Sequence, residues 1–198
     1  MIQQNLSILA PTSEISTLRT NQQYGFNIHW VHLPEYNCHF LFTEGLSNNI
    51  QNVKEGFESF KKIELYFCLP DYWKLDTDKW PIEWLEKLAC LPQKNNTWFG
   101  PGDTIPAGNP PMYLSDRFEA NHFMLVEPIR LAPFFENKIW EVLDIRFLGI
   151  VPISQGELDY KIRNSATVLT RRLKKANHSE KVDMFRTSVC RKRFLGLI

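Results

Sequence analysis

Ile63-Glu64-Leu65-Tyr66-Phe67-Cys68-Leu69-Pro70-Asp71-Tyr72-Trp73 is the stretch from which the fold can be read. Residues 63–69 form a short, largely apolar run with two aromatic side chains. The run is too short for a typical helix, and Pro70 stops it, so it reads as a buried strand. On its N-terminal side, Tyr24–Leu33 alternates Tyr, Phe, Ile and Trp, and Cys38–Thr43 is a second short apolar run. Both read as strands, and Glu35-Tyr36-Asn37 between them makes a hairpin. Gly45–Asn52 reads as a polar loop. Residues 1–22 are weakly patterned, with a short helix expected near Glu14–Leu18.

On the C-terminal side, Pro81 suits the first turn of a helix, with Asp78 upstream as its cap. Ile82, Leu85, Leu88 and Ala89 fall on one helical face, and Pro92 is expected to end it. Asn95–Pro111 holds Trp98-Phe99-Gly100-Pro101-Gly102 and four prolines, which predicts a long loop. Phe118–Ile129 and Ile139–Val151 are two more strand candidates. Ser154 and Glu157 form a capping box opening a helix from about Gln155 to Lys175, with Leu158, Ile162, Ala166, Leu169 and Leu173 inward. Strands, helix, strands and helix in that order predict an α+β fold, a mixed β-sheet flanked by helices. The expectation is one domain over 1–198, with residues 176–198 as a basic C-terminal segment.

A chain of 198 residues with 43% apolar and 13% aromatic residues can bury a core without disulfides or structural metal. No apolar stretch approaches the roughly 20 residues that span a bilayer. The N-terminus lacks the basic and apolar regions of an export signal. The four cysteines are scattered without a CxxC pair, which suits a reducing compartment. The expected location is therefore the cytoplasm, away from membranes. Residues 161–198 carry eleven basic and two acidic residues against twelve and twenty in 1–160, so the tail is +9 and the body −8. The tail lacks aromatic interleaving for base stacking. It reads as the solvated face of a helix docked on an acidic body, and no nucleic-acid partner is expected.

No catalytic set emerges. There is no G-x-S-x-G, and acid pairs such as Asp76 and Asp78 sit in a polar loop. Gly100-Pro101-Gly102 lacks the spacing of a phosphate loop, and Pro101 removes a backbone donor. His29 and His32, three apart on a strand, point to opposite faces and do not converge on one ion. His32 could approach Cys38 across the hairpin, but a tetrahedral set is not visible, so no metal and no cofactor are expected. The exposed-aromatic candidates differ. Trp80 and Trp84 flank the helix face and are expected in the core. Tyr72, Trp73, Trp98 and Phe99, with Asp103 nearby, are the candidates for lining a partner-binding groove, because Trp and Tyr dominate interface hot spots.

Several segments together resemble one family. Thr43-Glu44-Gly45-Leu46-Ser47 resembles the T-x-G-M-S turn of suppressor-of-fused domains, with Leu for Met. Glu64–Trp73 is similar to their E-L-x-x-x-L-P-x-x-W segment, and Trp80-Pro81-Ile82 with Leu85, Leu88 and Ala89 to their W-P-x-x-x-L-x-x-L-A helix. Thr97–Pro106 resembles a loop of the bacterial branch. Glu157–Lys161 and Asp183–Val189 resemble the E-L-x-x-K and D-x-x-R-x-S-V segments. The resemblance runs from about residue 24 to 190. It implies a mixed α/β domain that binds protein. Animal members sequester transcription factors, in part by strand addition, whereas stand-alone bacterial members are thought to neutralise toxins as immunity proteins. The leading expectation is such an immunity protein. The alternatives are a regulatory adaptor that binds a peptide by strand addition, and an enzyme with ionisable groups converging beside the Trp98–Pro106 loop.

Overall fold

The computed structural model describes residues 2–116 and 118–190. Its centre is a seven-stranded mixed sheet. In chain order the strands are β1 (Ser16–Asn21), β2 (Phe26–Leu33), β3 (Cys38–Glu44), β4 (Ile63–Pro70), β5 (Thr104–Pro106), β6 (His122–Val126) and β7 (Arg146–Ile153). Their order across the sheet is β1-β2-β3-β4-β7-β6-β5. Among these strands only the central β4–β7 pair is parallel. The helices are α1 (Ile2–Leu9), α2 (Trp80–Lys94), α3 (Ala132–Phe135), α4 (Gln155–Arg163) and α5 (Ala166–Lys175).

Every residue of β4 is buried. Leu65, Phe67 and Leu69 pack with Leu85, Leu88 and Ala89 of α2 on one face. Tyr66 and Cys68 face the other way, among Ile2 and Leu6 of α1, Phe134 of α3, Trp140 and Phe147. Coverage on both faces explains why the strand reads as a nearly continuous apolar run instead of alternating. A third cluster joins Met124 and Val126 of β6, Val151 and Ile153 of β7, and Leu169 and Leu173 of α5.

Several elements differ from the sequence expectation. The N-terminal helix lies at Ile2–Leu9, and the Glu14–Leu18 region instead enters β1, where pairing with β2 overrides local preference. The strand expected from Tyr24 starts at Phe26. The Gly45–Asn52 loop contains a 3₁₀ turn at Leu46–Asn48 with Leu46 and Ser47 buried. Helix α2 begins after Lys79 without a side-chain cap from Asp78, and it runs through Pro92 to Lys94. A proline so near the C-terminus removes one helical hydrogen bond, and Pro92 is itself buried. Within the long loop, Thr104–Pro106 pairs with β6 as a short edge strand. The Phe118–Ile129 strand narrows to His122–Val126. In the Ile139–Val151 segment, Lys138–Leu143 is a 3₁₀ helix capped by Asn137, and β7 begins only at Arg146.

The Ser154–Glu157 capping box is present, with both reciprocal bonds. The helix it opens is not continuous, however. It stops at Arg163, and Ser165 caps a separate α5 through Val168 N–H. The break re-aims the chain, so Leu169 and Leu173 are buried while Ile162 is 70% exposed. The Arg191, Lys192 and Arg193 portion of the basic C-terminal segment lies outside the described residues.

Candidate functional site

The chain turns sharply where β4 ends. Trp73 N–H donates to the Pro70 carbonyl at 2.9 Å, and the Trp73 indole N–H donates to the Asp78 carbonyl at 3.1 Å. Its ring meets Trp80 edge-on at 5.6 Å, and only 5% of the residue is exposed. Trp73 is therefore a core pin and not an exposed contact residue. The same turn throws Tyr72 outward, where it is 52% exposed and packs at 6.1 Å against Phe185, itself 71% exposed. Burial, with help from the Asp183 carboxylate, pushes the Tyr72 phenol above its ordinary value, so it stays a neutral donor at neutral pH. These two rings flank an open groove of about 450 Å³ whose walls include Asp71, Arg130, Lys181 and Asp183.

The groove walls are held from below by one buried acid. Glu180 is fully buried and accepts hydrogen bonds from the N–H groups of Ile129, Arg130 and Leu131 at 2.8–3.1 Å and from the Tyr66 hydroxyl at 3.2 Å. Arg130 donates to the Tyr36 carbonyl and Lys181 to the Asn37 carbonyl, both at 2.8 Å, tying the groove to the β2–β3 turn.

The long loop holds the other candidates. Phe99 is 5% exposed, and Gln51 grips its backbone from both sides, accepting from Phe99 N–H at 2.8 Å and donating to its carbonyl at 3.0 Å. Phe99 is thus a second core residue. Trp98 is half-buried, packs tilted against Phe57 at 5.0 Å, and lies so close over Gly100 that a Cβ there would meet the indole at 2.6 Å. Asp103 closes the turn by accepting from Gly100 N–H at 2.8 Å. Gly102, at φ +93°, donates to the Leu125 carbonyl at 2.7 Å. Both glycine N–H groups are thereby spent within the chain.

The five candidates do not form one surface. Tyr72 and Phe185 lie past the C-terminal end of β4, whereas Gln51 ties Phe99 to Phe60, just before its start. Eight residues of strand separate the two places by about 25 Å. Phe185, Arg130 and Lys181, which also line the groove, are not among the sequence candidates, although Phe185 falls within the Asp183–Val189 segment.

The motif residues serve the fold. Glu64 is buried and accepts from Thr43 Oγ1 (2.5 Å), Gly45 N–H (3.0 Å), Ser47 N–H (3.0 Å) and Ser47 Oγ (2.7 Å). Glu157 and Arg186 make a buried bidentate ion pair at 2.6 and 2.8 Å. His29 is buried on the α1 face, beside Thr17, Gln3 and Glu44. That contact, with the Gln3 bonds, holds Glu44 down at about 2 despite partial burial. Among the described residues, one group has the donor chemistry for a metal ion: His32, His39 and Asp71.

The family model described as suppressor of fused protein (SUFU) matches residues 22–187. A crystal structure of a suppressor of fused homolog from Neisseria gonorrhoeae is similar over 96% of each chain, with a TM-score of 0.69 and 16% identity. A chain of the Sufu–Fu complex is similar over 95% of this chain and 90% of its own length, with a TM-score of 0.64 and 15% identity. Drosophila Suppressor of Fused matches with a TM-score of 0.62 and 16% identity over 95% of this chain and 50% of its own, so this chain spans about half of it. No curated protein matches the sequence. At these identities the structural likeness establishes the shared fold alone.

Proposed function

The chain belongs to the suppressor of fused family, and from that premise we propose that it is a non-catalytic protein-binding domain that serves as a bacterial immunity protein, neutralising a toxin in the cytoplasm. The observation that carries this reading is the Tyr72–Phe185 pair. Two exposed aromatic rings over an open groove, rimmed by acids and bases, have the composition of an interface centre with a polar rim. A related chain occurs in a Sufu–Fu complex, which supports a protein partner in general. The net charge of −8 over residues 1–160 would speed encounter with a basic toxin. No helix among the described residues is long and apolar enough to cross a membrane.

The test is co-expression with the toxin domain encoded beside the gene in a sensitive bacterial host. Protection is expected; killing that continues at full expression of the chain would overturn the immunity reading. Tyr72→Ala and Phe185→Ala are each expected to weaken toxin binding about tenfold or more, as hot-spot truncations do. Their melting temperatures should stay close to that of the parent, because both side chains are largely exposed. Unchanged affinity in both variants would remove the groove from the interface.

One observation favours a second reading, a regulatory adaptor that takes a peptide by strand addition. The edge strand β5 follows directly on Trp98–Asp103, the other candidate place. It is only three residues long and ends in Pro106, which lacks an N–H, so it offers few backbone bonds. Binding abolished by Trp98→Ala or by Ile105→Pro, with Tyr72→Ala silent, would select this reading over the groove.

A further inference from the structure

His32 and His39 stand directly opposite each other in the antiparallel β2–β3 pair. Directly opposed residues project from the same face of a sheet. His39 is in turn opposite Leu69 of β4, and Asp71 is two residues beyond Leu69, which returns it to that same face. Three residues from three consecutive strands or their ends thus converge at one corner. The two imidazole rings are 4.7 Å apart, and one donor atom from each of the three residues lies within 4.8 Å of the others. His32 Nε2 is 3.3 Å from Asp71 Oδ1.

The His32–Asp71 spacing is that of two ligands on one ion, and the donor atom of His39 lies within 4.8 Å of both. Zinc bound tetrahedrally to nitrogen and oxygen at about 2.0–2.2 Å sets its ligand atoms about 3.3–3.5 Å apart. The His32–Asp71 contact joins two of the residues, and His39 adds a hydrogen bond to the Asp71 backbone, so all three are drawn to one point. His39 is held in place by stacking on Trp30 at 4.2 Å, and its Nδ1 is shut off from water with no hydrogen-bond partner among the described residues. A buried ring nitrogen without a partner is costly. His32 and Asp71 are 44% and 46% exposed in their side chains, so an ion has a route in from solvent.

We propose that His32, His39 and Asp71 form a binding site for a divalent transition-metal ion, best matched to zinc, with a fourth position open to water. Two imidazoles and one carboxylate favour zinc-like ions over calcium or magnesium, which prefer all-oxygen sets. The site is independent of the toxin reading. Because Asp71 also lines the groove beside Tyr72, a filled site would place positive charge at the groove's edge.

The experiment is calorimetric titration of the full chain, freed of any tag and stripped with chelator, with zinc chloride, repeated with cobalt followed by visible absorption. One zinc per chain with a dissociation constant of about 10 μM or tighter is expected. His32→Ala and Asp71→Asn should each weaken it about tenfold or more, and His178→Ala should leave it unchanged. Both test residues are half-exposed, so these variants should remain folded, and thermal melts would check this. His39→Gln tests the third ligand. No binding at 100 μM zinc, about tenfold above the expected dissociation constant, would overturn the site. So would binding indifferent to both His32→Ala and Asp71→Asn, or a weak octahedral cobalt spectrum.

Discussion

Arg186→Ala is expected to destabilise the protein by roughly 3–5 kcal/mol, the range for breaking one side of a buried ion pair. For a domain of this size that lowers the melting temperature by about 6–20 °C. Arg186 is 6% and Glu157 0% exposed in their side chains. The guanidinium grips both Glu157 oxygens and also donates to the Pro152 carbonyl at 2.7 Å. Glu157 additionally accepts from Ser154 and Val189 N–H, both at 3.0 Å, so it joins the start of α4 to the C-terminal segment. Burial alone would raise the Glu157 pKa, but Arg186's bonds and charge and these N–H donors outweigh it, and the net shift is downward. A lowered acid contributes stability that is present above its unfolded pKa and is lost as pH falls through the folded value. Urea unfolding of parent and variant at neutral and acid pH measures this. The gap should be largest at neutral pH and shrink below about pH 4. Replacing both partners with apolar residues should recover much of the loss, since nothing charged is then stranded. A single-variant cost under about 1 kcal/mol would mean that the pair is solvated.

The second large effect is expected at Glu64. Glu64→Ala strands two backbone N–H groups and the Ser47 hydroxyl in a buried turn and leaves the Thr43 hydroxyl only its longer bond to the Leu65 carbonyl at 3.4 Å. Unsatisfied donors cost about 1–3 kcal/mol each before relaxation, so a total of roughly 3–5 kcal/mol is expected. Glu64→Gln keeps an acceptor for Gly45 and Ser47 and a donor for Thr43, and should cost about 1 kcal/mol. The two variants therefore separate loss of shape and bonding from loss of charge. Burial raises the Glu64 pKa to about 7 against the opposing pull of those hydrogen bonds. Between the unfolded value near 4.5 and about 7, the folded state holds the extra proton. Stability from this group therefore falls as pH rises through that window and is flat above it. Stability measured at pH 5 and pH 8 should drop for the parent and stay level for Glu64→Gln, once other groups are matched. Parallel pH profiles for the two proteins would show that Glu64 is ionised throughout.

Much of the fold was legible along the chain because burial and local hydrogen bonding leave periodic and positional marks. The nearly continuous apolar run of β4 announced a buried strand. Ser154 and Glu157 announced a helix start that the structure builds with both bonds of the box. Glu35-Tyr36-Asn37 announced the turn of the β2–β3 hairpin, with Asn37 in the left-handed region at φ 47°. The ordered motifs pointed to the family before any contact was known. Polar β1 left no such mark, because an exposed edge strand is specified by its neighbour's backbone more than by its own side chains. The break at Ser165 was hidden because the apolar spacing runs on through Ile162 as if one helix continued.

Which residues meet is a different matter. Trp73 and Phe99 looked like interface aromatics from composition, but packing drew both into the core, half-buried Trp98 and left Tyr72 exposed. Phe185 reaches Tyr72, and Glu180 reaches Ile129–Leu131, only because the C-terminal segment returns past the end of β4. His32, His39 and Asp71 converge through strand register, which is a relation between three segments and is written in none of them. A one-residue slip in that register would send each histidine to the opposite face. Chain-local physics set the elements and the buried faces. The groove and the metal corner depend on long-range pairing, whose free energy belongs to the assembled sheet and has no local signature.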